Sequence, residues 1–247
     1  MGWAMILSSL FVFGGCAVQR TTVPPPDLVV QEETEVTGKE AERGWWQVHF
    51  FINWAEASEP NWYMDSLLAH RIVAPVLERY RKQISIWRFH RRAARDDAGH
   101  RFTFYFYTTT AVAAQILKDV RYNALLSRMT AEGIILRTDF GDPRTNPHPD
   151  IGDLSDAQWT PAVKKAWPYF IMGVSQMWLN LITEIAAEMS PVEEGSALTE
   201  IQDFYVAVAT GVNQLWQQDG RHALLHHLNA IFEYRPILIY EKRWLKF

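Results

Sequence analysis

Two runs decide the fold: Ile84-Ser85-Ile86-Trp87-Arg88-Phe89-His90-Arg91-Arg92 and, eight residues on, Arg101-Phe102-Thr103-Phe104-Tyr105-Phe106-Tyr107-Thr108. In the second, Phe102, Phe104 and Phe106 alternate with Arg101, Thr103, Tyr105 and Tyr107. Side chains of a strand point to opposite faces in turn, so the run reads as a β-strand with one aromatic face and one mostly polar face. The residues between the runs centre on Asp96-Asp97-Ala98-Gly99, which is turn chemistry. A β-hairpin is expected.

Working outward, Trp45 to Asn53 is apolar and β-branched and reads as a preceding strand. Ser58-Glu59-Pro60-Asn61 is a helix start, and Leu67, Leu68, Ile72, Val76, Leu77 and Tyr80 follow at three- and four-residue spacing. Pro75 inside that pattern is expected to kink or split the helix. Ala111 to Ala131 is helical by period and is closed by Gly133, and Ile134 to Phe140 reads as a fourth strand. The order β-α-β-β-α-β is that of a ferredoxin-like unit. Gly141 to Asp156, dense in Asp, Pro and Gly, reads as a loop.

Beyond it the period stays helical to about Tyr234, which makes the fold class α+β with a helical C-terminal part. Trp167 to Ile182 is very apolar but interrupted by Gln176 and Asn180, so it is expected to be a buried core helix rather than a membrane span. Met189 to Gly195 breaks the pattern. Two further helices are expected, from about Ser196 to Gln218 and from about Arg221 to Phe232, and the tail reads as helix or strand.

The 247 residues carry 24 Lys and Arg against 28 Asp and Glu, a net charge of −4 that argues against a nucleic-acid binder held by bulk positive charge. A single cysteine, Cys16, leaves no intrachain disulfide. It follows an apolar run, Trp3 to Phe13, too short to span a bilayer but of the length of a secretory signal.

Phe13-Gly14-Gly15-Cys16 resembles the lipobox of bacterial lipoproteins. The resemblance implies a signal peptide over 1–15, lipidation of Cys16 and a membrane anchor. Ala17 after the cysteine implies, by the same family's rule, the outer membrane on its periplasmic side; a cytoplasmic location is the alternative. Residues 16–43, rich in Pro and Glu, read as a tether too poor in large apolar groups to offset its ordering entropy. Residues 44–247 are then one globular domain, with 44–140 its sheet unit and 157–247 its helical part.

A second resemblance lies in the hairpin. Ile86-Trp87-Arg88-Phe89-His90-Arg91-Arg92, then Gly99-His100-Arg101-Phe102-Thr103-Phe104, and later Leu224-Leu225-His226-His227-Leu228-Asn229 are similar to the thiopeptide-type bacteriocin biosynthesis domain, the C-terminal domain of lantibiotic dehydratases. That family eliminates glutamate from glutamylated Ser or Thr with strand arginines and a late histidine. Here His100 and His226 match, while Phe102 and Phe104 stand where the family has its two arginines. A phenyl ring cannot hold the leaving carboxylate. The resemblance therefore implies a reused scaffold: a non-catalytic binding or assembly module for a protein partner or an anionic ligand. The alternative is a diverged enzyme acting on a peptide or envelope substrate, with His100 and His226 as acid/base groups and Arg88 or Arg101 holding the anion.

The residues themselves place the candidate ligand site on the polar face of the hairpin. Arg88, His90 and Arg92 on one strand and Arg101 and Tyr105 on the other form a basic, aromatic patch suited to phosphate or carboxylate. His49 or Asn53 joins it, depending on register. The other reading is a polar sheet face covered by helices, each Arg paired with an acid. His222 and His226 have the spacing of two metal ligands, with His148, Asp142, Asp150 and Asp153 as further donors. Without a His-Glu-x-x-His pattern they are expected to be partly buried, hydrogen-bonded histidines, and no metal or cofactor is expected. Trp159, Trp167, Trp178 and Trp216 read as core filling, or as the lining of a hydrophobic pocket for a lipid or peptide.

Overall fold

The computed structural model describes residues 42–142, 148–193 and 195–237. Cys16, the expected signal peptide, most of the expected tether and the end of the tail lie outside the described residues. β1 (Arg43–Ile52), β2 (Ile86–Ala93), β3 (His100–Thr109) and β4 (Ile135–Phe140) form one antiparallel sheet in the order β2-β3-β1-β4. The two runs of the hairpin are adjacent strands, as expected, and β3 pairs on its other side with β1. Trp45 to Asn53 is a strand that begins two residues earlier, at Arg43.

Strand parity sorts the sheet. Phe102, Phe104 and Phe106 stand opposite Phe50, Val48 and Trp46 on β1, and Phe104 and Phe106 stand opposite Phe89 and Trp87 on β2. All of these side chains are buried. Three helices of the sheet unit pack against this face. α1 (62–79) contributes Leu67, Leu68, Ile72 and Val76, α2 (Thr110–Arg121) contributes Ile116 and Val120, and α3 (Ala124–Ala131) contributes Leu125 and Met129. Each fully buried aliphatic or aromatic side chain contributes about 1.5–3 kcal/mol.

Pro75 does not split α1, which stays helical from 62 to 79. A proline ring collides with the carbonyl four residues back, and here one wide π turn, Leu68–Val73, precedes it, with the Ala74 N–H donating to the carbonyl of Ala69, five residues back. Where one helix is expected over 111–131 there are two. Asn123 interrupts it and caps α3, its side-chain oxygen accepting from the Leu126 N–H at 3.0 Å. Gly133, at φ 68°, closes α3 in the left-handed region where glycine is unstrained.

The C-terminal part is two long helices, α4 (Pro161–Glu188) and α5 (198–231). α5 corrects the expectation of two separate helices: Gly220 does not end it, and a second π turn, Arg221–His226, carries it on. α4 corrects the expectation of a buried core helix. It is long and apolar enough to cross a membrane by length and composition, yet of its 28 residues only Pro168, Ser175, Leu179 and Ile182 are buried. The reason is position: α4 lies along the open edge of β2, where the sheet ends, so only one stripe of it meets the body. There the Phe89 N–H donates to the Ser175 hydroxyl at 3.1 Å. That bond covers part of an otherwise unpaired strand edge.

Candidate functional site

The polar face of the sheet is assembled by register. Arg88 stands opposite Tyr105, His90 opposite Thr103, Arg92 opposite Arg101, and His49 opposite Thr103 from the other side. Partners opposite one another in a sheet share a face, so Arg88, His90, Arg92, Arg101, Tyr105 and His49 all lie on this one. Asn53 does not join them; its amide donates to the carbonyl of Gly133. The loop 148–154 covers one end of the face, with the Trp45 indole donating to Ile151 and the Tyr107 hydroxyl to Pro149.

The patch is not one pocket. Arg92 lies four steps along the strand from Arg88, about 14 Å at about 3.4 Å per residue. One end holds Arg88 and Tyr105; the other holds Arg92 and Arg101. Arg92 is paired with Asp96 at 2.6 Å. Between the two ends His49 bonds to the Thr103 hydroxyl at 2.9 Å. Burial and then the charge of Arg101 lower its pKa to about 4. The pKa of His90 is lowered too, first by crowding of its ring by protein atoms and then by Arg88, Arg101 and Arg92. Both rings are therefore neutral near pH 7.

Arg88 differs from the other cations. It is 8% exposed where Arg101 is only half-buried; its Nε, like that of Arg101, is fully buried with no hydrogen-bond partner. Among the described residues it forms no ion pair either. Its guanidinium carbon lies 4.2 Å from the centre of the Tyr105 ring and 5.0 Å from that of Trp167, which comes from the first half of α4. Burial pushes its pKa down from the usual guanidinium value. A buried guanidinium held between rings with no carboxylate opposite has hydrogen-bonding capacity left for an incoming anion.

Beside Arg88, between the edge of β2, α4 and α5, a cavity of about 560 Å³ opens. Trp167, Trp178, Leu181, Val212 and Trp216 give it an apolar wall. The core-filling expectation for the tryptophans is thereby corrected. None of the four is fully buried: Trp178 still packs on the core against Phe89 and Phe102, while Trp216 is exposed, and Trp167, Trp178 and Trp216 line this cavity.

The candidate acid/base groups are not brought together with Arg88 and Arg101. His100 shares the parity of Phe102 and faces the helix layer, while Arg101, its neighbour, faces the opposite side. His100 is 1% exposed, and its Nε2 lies 3.0 Å from a carboxylate oxygen of the fully buried Asp65. The other oxygen of Asp65 accepts from Arg91 Nε at 2.7 Å. Trp54 and Trp62 meet the His100 ring edge to face, and Trp62 and Trp178 flank the Arg91 guanidinium. His226 sits on the second π turn of α5, exposed, its ring stacked on His222 at 5.2 Å. Both are on the surface rather than partly buried. Among the described residues no group of three or more His, Cys, Asp or Glu is arranged to hold a metal.

Sequence reasoning missed the Asp65–Arg91–His100 triad and the part of Ser175. Parity alone would have placed Arg91 and His100 on the phenylalanine face, where a buried charge needs an acid. Comparison with protein-family models, with curated proteins and with solved structures finds no match for this chain.

Proposed function

We propose that this chain is a non-catalytic binding module, held at a bacterial outer membrane by an acyl-modified Cys16, that takes an anionic group against Arg88. The observation that carries the binding role is Arg88 itself. Leaving a charged group buried without a partner destabilises a fold, and a bound carboxylate or phosphate would supply the missing partner bidentately. The strand order β4-β1-β3-β2 and the helices on one face support reading residues 43–140 as a ferredoxin-like unit, a scaffold that by itself implies no reaction. The anchor is supported by the lipobox-like Phe13-Gly14-Gly15-Cys16 alone. No observation favours the elimination chemistry of the lantibiotic dehydratase domain, whose matching histidines here lie in separate places.

Titration calorimetry of the chain with butyrate and with inorganic phosphate tests the binding role. Binding that is lost in Arg88→Gln and kept in Arg92→Gln supports it; binding indifferent to Arg88, or no binding at millimolar anion, overturns it. For the anchor, labelled palmitate should enter the expressed protein and fail to enter Cys16→Ala.

A further inference from the structure

We infer that the ligand is an anionic amphipath with a single slender apolar tail, of the fatty-acid kind, its carboxylate on Arg88 and its tail in the cavity between β2, α4 and α5. This rests on the reading of Arg88 as an anion site and names what that anion is attached to. The cavity volume of about 560 Å³ falls within the range of small-molecule sites, roughly 300–1,000 Å³. Its inner wall offers rings and aliphatic groups. The one wall hydroxyl, on Ser175, is already spent: it accepts from the Phe89 N–H and donates to the carbonyl of Ile171 at 2.8 Å. A sugar or a nucleotide base entering here would leave its polar atoms unpaired, whereas a hydrocarbon chain asks for no partners. Charge complementarity fixes the orientation, because both cations of the lining, Arg88 and Arg91, stand on the β2 wall, Arg91 already paired with Asp65, and no carboxylate lines the cavity. The remaining polar groups of the wall are His90 and Arg91 on β2, Arg91 already engaged by Asp65 and by the Trp62 carbonyl, and Asn213, an exposed residue; the rest is apolar.

Equilibrium dialysis or calorimetry with dodecanoate, butyrate and dodecanol separates head from tail. Dodecanoate is expected to bind at least about tenfold tighter than either of the others. Arg88→Gln should bring dodecanoate down to the level of dodecanol. Val174→Trp, placed on a cavity wall position that is 44% exposed and so safe for folding, should bring it down to the level of butyrate and leave butyrate binding unchanged. Dodecanoate no tighter than butyrate would overturn the tail assignment and leave the anion site standing. Loss of both dodecanoate and butyrate binding in the unmodified chain would overturn both. Binding to phosphatidylglycerol vesicles that neither variant alters, without saturable dodecanoate binding, would make the apolar wall a membrane contact and also overturn the inference.

Discussion

Replacing Arg88 with methionine should stabilise the protein while abolishing anion binding. The Arg88 side chain is 8% exposed, with a buried Nε that has no hydrogen-bond partner. A buried polar group left unsatisfied costs about 1–3 kcal/mol, and a charged one sits at or above the upper end. Against that, Tyr105 at 4.2 Å and Trp167 at 5.0 Å return about 1 kcal/mol each through cation–π attraction. Methionine of similar length keeps contact with both rings, with sulfur–aromatic attraction of about 0.3–1.5 kcal/mol, and has no charge to desolvate. The difference is about 1–2.5 kcal/mol in favour of Arg88→Met. For a chain of this size that is a rise of about 2–10 °C in Tm. Thermal unfolding in low-salt buffer, with and without saturating dodecanoate, measures it. The ligand should raise the Tm of the unmodified chain by mass action and raise that of Arg88→Met less. A variant less stable by more than about 1 kcal/mol would mean that the guanidinium is part of what holds α4 to β2, and the reasoning from an unpaired cation would fail.

Asp65→Asn should cost about 3–5 kcal/mol, because Arg91 and His100 then face a neutral amide in place of a buried carboxylate; denaturant unfolding measures it, and a loss under about 1 kcal/mol would contradict the triad. Ser175→Ala should cost about 1–3 kcal/mol by leaving the Phe89 N–H without its acceptor, and hydrogen exchange at that amide should quicken. His49 is neutral in the fold down to about pH 4, whereas in the unfolded chain it titrates near 6.5. The unfolded state thus binds the extra proton first, and the contribution of His49 is complete above about pH 6.5 and lost as pH falls toward about 4. Discounted for its partial exposure, the loss is about 1–2 kcal/mol, and the difference in stability between pH 7 and pH 4.5 should shrink by that amount in His49→Gln. Phe104→Ala, emptying the centre of the aromatic face, should cost about 3–5 kcal/mol, seen as a lower denaturation midpoint at unchanged slope.

Local pattern carried much of the sheet unit. Alternation of phenylalanine with polar residues along 101–107 marks a strand without reference to anything distant, and the Asp96–Gly99 turn brings its partner alongside. The same parity placed Arg88, His90, Arg92, Arg101 and Tyr105 on one face. It did not show that the two arginine-bearing ends of that face stand too far apart to share one small anion, which needs the rise along the strand as well as its alternation. Nor did helical periodicity reveal the break at Asn123 or the continuity through Gly220. A cap and a π turn are decided by single hydrogen bonds that leave the hydrophobic period almost unchanged.

What the sequence by itself determined is the order of strands and helices, the aromatic face that buries them and the lone cysteine of a lipobox-like start, because each is written in near neighbours along the chain. Tertiary structure alone decided which charges are paired and where the tryptophans go. Asp65 reaches His100 across 35 residues, and Trp167 reaches Arg88 across 79. Whether a cation is satisfied, or an indole lines a cavity instead of a core, depends on what a distant helix sets beside it.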